Sequence, residues 1–284
     1  MAILVSDILN KEEFFGDGPP TWSKSPTAEH AKNDRLRVVK RLNRFDPLFP
    51  GAAQLAPRLQ QCAPKIPCGS GGCPDCTRAF QRWLVVQLQG IENDPTRELV
   101  AASVTRSHWR AQLGDLHTFD VGAIRNEFRI ALAATQVPWA LFGIDISLND
   151  DTKKGFGIGW QFQFYGFAHV KDQKTFSQSL VGGVPPGKVS RPVRVSQCDG
   201  TRRAFSYGFK PTSIRRVAYW GRGKTRTGAA RYCWRTRKVS LKPREEVELR
   251  LYLDQIGLKK RILLHGLEAV RNRNRIQLIP KQRE

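Results

Sequence analysis

The sequence contains no uninterrupted run of about eighteen apolar residues, the length that a membrane-spanning helix needs. Its N-terminus, MAILVSDILNKEEFF, has no basic start and turns acidic before a long apolar stretch can form, so it does not resemble a secretory signal. We therefore expect no transmembrane helix and no membrane partner, and we expect a cytoplasmic, reducing location.

Several catalytic signatures are also missing. The chain has no GxxxxGK[ST] phosphate loop, and GRGKTRTG (221–228) has neither the required spacing nor a preceding apolar strand, so it indicates a basic loop. GxSxG, HExxH and the zinc-deaminase pattern are absent. The five histidines (His30, His108, His117, His169 and His265) include no pair spaced HxH. These absences argue against nucleotide-driven work and against the corresponding hydrolases and deaminases.

The chain contains enough hydrophobic residues to form a folded core. The 284 residues are 40% hydrophobic and 10% aromatic, which excludes a wholly disordered polyelectrolyte and suits one large domain or two ordinary ones.

No acidic residue lies between Asp199 and Glu245, and most of the excess positive charge lies in and after this segment. The chain has 47 Lys and Arg against 25 Asp and Glu, a formal charge of +22. Residues 202–284 alone hold 23 basic and 6 acidic residues, a net of +17, and aromatic residues alternate with the basic ones. The same charge would also be found on a solvated basic face, or on a surface that binds an acidic protein or a membrane.

Arginine pairs with phosphate and stacks on bases, and Trp and Tyr rings give bases a surface to stack on. The segment therefore predicts a nucleic-acid-binding surface. Its candidate residues are Arg202, Arg203, Arg215, Arg216, Tyr219, Trp220, Arg222, Lys224, Arg226, Arg231, Trp234 and Arg235.

Four of the six cysteines lie in the segment CAPKIPCGSGGCPDC, at Cys62, Cys68, Cys73 and Cys76. Four thiolates this close suit a tetrahedral structural zinc, whose bonds replace a hydrophobic core in a polar segment. The first spacing, CxxxxxC, departs from the common ribbon, and disulfides or a redox CxxC are the alternatives. Cys198 and Cys233 are isolated, and we expect packed thiols there.

Hydrophobic periodicity predicts an α+β fold with an antiparallel sheet, flanking helices and a helical C-terminus, and with the zinc knuckle N-terminal to the sheet. Strands at 139–148 and 159–169 form an expected hairpin, and Gly257 ends a helix that begins near Pro243. We divide the chain into a flexible leader (1–30), a basic helix with the cysteine cluster (31–90), an α+β core (91–220) and a basic helical C-terminal region (221–284).

This order of elements, with CPxC leading into a helix that contains RWL, resembles rolling-circle replication initiators and related transposases of the His-hydrophobic-His endonuclease superfamily. The resemblance covers about residues 60–220. In that superfamily the first strand ends in a Thr-rich motif, here at Thr105. A neighbouring strand supplies an acidic ligand for magnesium or manganese, which matches Asp145. A Tyr-x-x-Lys motif supplies the nucleophile, which matches Tyr207 and Lys210.

The chain departs from this pattern at the histidines. The family's two histidine ligands correspond to Gln163 and Tyr165, and neither replaces imidazole well as a metal ligand. The resemblance thus implies a degenerate site at Asp145 and Gln163, with nicking activity that is lost or altered. His169, which ends the same strand, is either a displaced ligand or an exposed strand-end residue, and the second interpretation is favoured.

These observations predict a DNA-binding protein of the initiator or transposase type, with DNA preferred over RNA. If the protein is an enzyme, it nicks single-stranded DNA with a tyrosine nucleophile. Two alternatives remain open: a non-enzymatic, zinc-containing RNA-binding protein, and a transcriptional regulator that reads duplex DNA with residues 243–270 as a helix-turn-helix.

Overall fold

A computed structural model describes most of the chain. The described residues are 8–9, 14–17, 25–91, 96–152, 157–181, 191–211, 213–224, 230–272 and 275–281. They contain seven helices: α1 (Ala28–Phe45), α2 (Ala52–Gln60), α3 (Pro74–Gly90), α4 (Val121–Ala133), α5 (Gln173–Val181), α6 (Arg202–Gly208) and α7 (Pro243–Lys260). None of these helices is both long and apolar enough to cross a membrane.

Nine strands accompany the helices: β1 (Glu98–Gln112), β2 (Ala140–Asp150), β3 (Ile158–Val170), β4 (Val193–Gln197), β5 (Arg215–Lys224), β6 (Ala230–Val239), β7 (Ile262–His265), β8 (Leu267–Asn272) and β9 (Arg275–Pro280). The first seven form one sheet in the order β4-β1-β3-β2-β5-β6, with β7 also paired to β2, and β8 and β9 form a small second sheet. All pairings are antiparallel except β2 with β5, so the predicted α+β class is confirmed and the large sheet is mixed.

The large sheet is covered fully on one face and in part on the other. Even-numbered residues of β3, such as Trp160, Phe162 and Phe164, join a core with α4, α5 and α7. The opposite face packs on α3 and α6 through Leu141 and Phe167. This second face leaves the odd-numbered polar residues at the other end of β3 uncovered, because the alternation of a strand places Gln161 and Gln163 there.

The cysteine segment packs directly on α7. A Cβ atom at Gly71 would lie 2.2 Å from the carbonyl oxygen of Leu253, and one at Gly72 would lie 2.4 Å from that of Arg250. Only glycine permits this approach of two backbones.

The described residues of the predicted leader also lie against the folded chain. The buried Arg78 donates hydrogen bonds to the carbonyl oxygens of Phe15 (2.9 Å) and Gly16 (2.9 Å) and pairs with Asp17 at 2.7 Å. The remaining residues up to position 24 lie outside the described residues.

The alternative in which residues 243–270 form a helix-turn-helix is wrong, because the segment after Gly257 is not a second helix. Gly257 does interrupt α7, with a φ of 67°, but residues 262–265 and 267–272 are strands. Pairing with β2, as in Ala140 with His265, overrides the helical periodicity of this segment. Helix α7 itself is buried along most of its length, so it has no free face with which to read duplex DNA.

Candidate functional site

The four clustered cysteines converge as predicted. Their Sγ atoms all lie within 4.8 Å of one another, and three Sγ–Sγ distances (Cys62–Cys73, Cys62–Cys76 and Cys68–Cys76) are 3.6 Å. Bonds of about 2.3 Å to a tetrahedral ion place sulfur ligands about 3.8 Å apart, whereas a disulfide needs about 2.0 Å. The cluster therefore has the dimensions of a four-cysteine metal site and could hold an ion such as zinc.

The surrounding residues hold these thiols close together. Arg35 of α1 donates hydrogen bonds to the carboxylate of Asp75 (2.5 Å) and to the carbonyl oxygen of Leu59 (2.7 Å). Hydrogen bonds within the cluster lower the pKa of Cys62, and the bond with Cys68 has the largest effect. Burial, in contrast, raises the pKa of Cys73. Four thiolates this close repel one another unless a cation neutralises them, so the donor set favours a bound divalent ion.

Helix α3 connects the cysteine cluster to the second candidate site. It begins with Cys73 at its N-cap and Pro74 in its first turn. Two turns further on, the Gln81 side-chain amide donates a buried hydrogen bond of 2.6 Å to the carbonyl oxygen of Ser206 in α6. The helix that begins at the cluster thus fixes the residue next to Tyr207.

Two glycines let α6 lie directly on the sheet. A Cβ atom at Gly143 of β2 would lie 2.8 Å from the Phe209 ring, and one at Gly208 would lie 2.8 Å from the Phe167 ring. Because neither position carries a side chain, the end of α6 rests on the partly uncovered face. Tyr207 and Lys210 are brought there above the middle of β2 and β3.

The predicted residues of the degenerate site form a row across the three central strands. Gln163 of β3 is the register partner of Asp145 on β2 and of Thr105 on β1. Direct partners in antiparallel strands present their side chains to the same face. These three residues line a groove of about 530 Å³ together with Tyr165, Tyr207 and Lys210. The structure therefore brings together all the candidate residues that the resemblance identified.

Lys210 lies close to both the carboxylate of Asp145 and the candidate nucleophile Tyr207. Its Nζ atom lies 3.7 Å from Oδ2 of Asp145 and 4.3 Å from the centroid of the Tyr207 ring. Tyr207 is 37% exposed and makes an edge contact with the Tyr165 ring at 5.3 Å. Burial, with a smaller contribution from Tyr207, raises the pKa of Tyr165 to about 12. Of the two phenols in the groove, Tyr207 is the more accessible to a substrate.

The glutamine side chains are held in place by hydrogen bonds from their amide groups. Gln163 donates to Ser103 Oγ at 2.7 Å, and Gln161 donates to the carbonyl oxygens of Arg106 and Trp109, both at 2.9 Å. Thr105, which accepts a further bond from Gln161, donates to the carbonyl oxygen of Phe162. An amide whose nitrogen is engaged offers its oxygen to a cation.

Sequence reasoning missed several residues of the groove. Ser103 alternates with Thr105 along β1, so strand periodicity was the signal that could have found it, as the alternation of β3 places Gln161 on the face of Gln163. The basic residues Arg191, Arg194 and Lys238 also line the groove but come from separate segments. Their convergence depends on the sheet order, which no local pattern reveals.

The predicted nucleic-acid-binding residues are divided among several environments. Trp220, Arg222, Trp234 and Arg235 are exposed on the β5–β6 hairpin, Tyr219 is half-buried there, and Arg216 lines the groove. On α6, Arg203 is exposed and Arg202 is bonded to Gln89. Arg226 lies outside the described residues, as do the side chains of Lys224 and Arg231.

Arg215 and His169 are placed differently from expectation. Arg215 is buried and pairs with Glu245 and, at 2.6 Å, with Asp150, so its guanidinium links β5 to β2 and α7 and has no exposed face for nucleic acid. His169 is 2% exposed and packs on Trp139 with ring centroids 4.8 Å apart. It is therefore neither an exposed strand-end residue nor part of the groove lining.

Comparison of this chain with protein-family models, with curated proteins and with solved structures finds no match. The chemistry of the site must therefore be inferred from its own residues.

Proposed function

We propose that this protein binds DNA as a single strand and cleaves one phosphodiester bond with Tyr207 as the nucleophile, in the manner of rolling-circle initiators and their transposase relatives. The observation that carries the proposal is the convergence of Tyr207, Lys210, Asp145 and Gln163 on one open sheet face. Asp145 lies on β2, Gln163 on β3 and Tyr207 on α6, and Lys210 comes shortly after α6.

The charge of the groove supports a phosphate-bearing ligand. Among the described residues, five basic side chains line it against a single carboxylate, that of Asp145. Arg216 is one of these five residues, and its Nε atom is buried without a hydrogen-bond partner among the described residues. A buried donor without a partner costs free energy, and a phosphate oxygen is a suitable acceptor for it.

The reaction follows from the position of Tyr207. Its phenolic oxygen forms a bond to phosphorus, the bond from phosphorus to one deoxyribose oxygen breaks, and the leaving hydroxyl takes up a proton in place of the one that the phenol loses. Lys210, close to the ring, supplies positive charge beside the phosphate as negative charge develops there.

A divalent ion fits the oxygen donors of the groove. Asp145 and Gln163 are direct register partners and offer a carboxylate and an amide oxygen, which suit magnesium or manganese better than the softer metals that imidazole binds. When bound, the ion would polarise the phosphate. We propose that replacement of histidine by glutamine alters this activity, because neutral oxygen is the weaker donor.

The cysteine cluster completes the proposal as a structural zinc site. Its four ligands leave no open position for a substrate, and the helix that begins at the cluster supports α6. Four free thiols in one site also fit the proposed cytoplasmic location.

The test is a cleavage assay on single strands labelled at the 5′ end or at the 3′ end and on supercoiled plasmid, with magnesium or manganese. Denaturing gels then show the adduct whichever fragment stays attached to the protein. Wild-type protein should form a covalent adduct, and Tyr207→Phe should not. Tyr165→Phe is the matched control, because it keeps the ring contact and removes only the neighbouring hydroxyl.

An adduct that persists in Tyr207→Phe and disappears in Tyr165→Phe would contradict the assignment of the nucleophile. Tighter binding to structured RNA than to single-stranded DNA, with no adduct under any condition, would favour an RNA-binding protein instead.

A further inference from the structure

We propose that one face of the β5–β6 hairpin continues the groove and binds the nucleotides that flank the cleaved phosphate, with their bases stacked on exposed tryptophans. The ligand is single-stranded DNA. This inference rests on the proposed function, since that function supplies a strand in the groove.

The hairpin face is continuous with the groove through two register pairs. Asn149 of β2 is the parallel partner of Arg216, and Arg216 is the antiparallel partner of Lys238. All three side chains line the groove. Because side chains alternate along a strand, Trp220 and Arg222 lie on the same face as Arg216.

Aromatic side chains are concentrated further out on that face. Trp220 and Trp234 are cross-strand partners, 57% and 41% exposed, and their rings meet edge to face at 5.5 Å. The next pair on the same face is Arg222 with Tyr232, which is 64% exposed. Large aromatic rings exposed in adjacent pairs, with cations beside them, are the features of a stacking platform.

The order of basic and aromatic side chains along this face suits a single strand of DNA. It runs from the cations of the groove to the Trp pair and then to Arg222 and Tyr232. From Arg216 to Arg222 the backbone advances about 20 Å, at about 3.3 Å per residue. Several nucleotides fit that length, and only an unpaired strand has base faces available for the rings.

The opposite face of the hairpin provides the control. Tyr219, a nucleic-acid-binding candidate from the sequence, is adjacent to Trp220, but alternation places it on the other face, where its ring lies against Gly221. The proposed strand therefore does not contact it. Arg237, also exposed, shares that other face and is the neighbour of Lys238.

The experiment measures binding of fluorescent DNA to the full chain by anisotropy, with single strands of about 4 and about 16 nucleotides, which span the range of site sizes of single-strand-binding modules. Trp220→Ala and Trp234→Ala should each weaken binding of the long strand by about tenfold and leave the short strand unaffected. Tyr219→Ala and Arg237→Ala should bind like wild type. The rings are exposed, so the variants should fold, and circular dichroism checks this.

The inference is overturned if both tryptophan variants bind the long strand like wild type, or if Tyr219→Ala weakens binding equally. It is also overturned if duplex DNA or single-stranded RNA binds through the tryptophans more tightly than single-stranded DNA does. Failure of the proposed cleavage is a separate result, because Tyr207→Phe should retain the tryptophan-dependent binding whether or not wild type forms an adduct.

Discussion

Lys210 lies between Asp145, the only carboxylate among the described residues of the groove lining, and the candidate nucleophile. Its Nζ atom is 3.7 Å from Oδ2 of Asp145 and 4.3 Å from the centre of the Tyr207 ring. A substrate phosphate in the groove would compete with Asp145 for this ammonium. In the proposed reaction, Lys210 is therefore the protein's own positive charge beside the phosphate.

Substitution of Lys210 should separate cleavage from binding. Lys210→Gln should slow adduct formation by about 100-fold, the typical cost of removing one positioned charge donor, while single-strand affinity changes little because other cations line the groove. Lys210→Arg should recover part of the rate. Single-turnover kinetics and anisotropy measure the two quantities, with Lys174→Gln on α5 as the control. Equal losses in rate and in affinity would show that Lys210 only binds the strand.

Asp145 should determine the affinity for a divalent ion. Asp145→Asn keeps the size of the side chain and removes its charge, so it should weaken Mn²⁺ binding by about tenfold or more. Electron paramagnetic resonance of free Mn²⁺ measures this binding without DNA. Asp172→Asn is the matched control, because Asp172 is exposed and Asn can still accept the hydrogen bond from Thr175 N at the start of α5. Unchanged Mn²⁺ affinity in Asp145→Asn would exclude this carboxylate as a ligand.

Metal analysis of native protein should find about one zinc per chain, because four cysteines satisfy one tetrahedral ion. Cys73→Ser and Cys76→Ser should lose the metal and unfold at lower temperature, since metal binding and folding are coupled. Cys198→Ser and Cys233→Ser are matched controls, because both thiols lie outside the cluster. A metal-free chain with the full unfolding temperature would contradict the structural role of the ion.

A side chain added at the contact between the cysteine segment and α7 should destabilise the protein. Gly71→Ala places a methyl group 2.2 Å from a backbone oxygen, so the free energy of unfolding should fall by about 3 kcal/mol. Gly90→Ala, at the end of α3 with open space around its Cα, should leave stability unchanged or raise it by about 0.5 kcal/mol. Urea unfolding compares the two variants, and equal stability would show that the two backbones can separate at little cost.

Glu246 should make stability depend on pH. Burial would raise its pKa, but Arg250, Arg41 and Arg37 outweigh this effect and hold the pKa below the usual value for glutamate. A lowered folded-state pKa contributes stability that is present above the unfolded value and is lost as the pH falls through the folded value. Glu246→Gln should therefore lower the free energy of unfolding by about 2 kcal/mol at pH 7.

The difference between Glu246→Gln and wild type should shrink as the pH falls below the unfolded pKa of about 4.3 and then through the lower folded-state pKa, where the carboxylate becomes protonated in both states. Urea unfolding from pH 3 to pH 7 measures it, with the exposed Glu268→Gln as the control. A difference that stays constant across this range would show that packing, and not charge, stabilises this position.

The sequence was informative where periodicity and spacing are local. Alternation in β3 correctly separated Trp160 and Phe162 from Gln161 and Gln163, and the hairpin with β2 then placed Asp145 beside Gln163. The cysteine spacing likewise predicted the convergence of the four thiols.

The remaining features could not be predicted from the sequence, because they depend on contacts between residues that are far apart in it. The strand at Ile262–His265 reads as helix in isolation and becomes a strand because an edge of β2 is available to it. Arg215 looks like every other arginine of its basic segment, and only the fold shows that Asp150 and Glu245 surround it. The burial of His169 against Trp139 depends in the same way on contacts between different elements.

The most direct test of the central claim is mass spectrometry of the covalent complex after digestion with protease and nuclease. We expect a nucleotide phosphate attached to the peptide that contains Tyr207, with fragment ions that place it on that residue. A nucleotide on a different residue, or DNA cut into free ends with no attached peptide, would contradict the claim that Tyr207 attacks the phosphate.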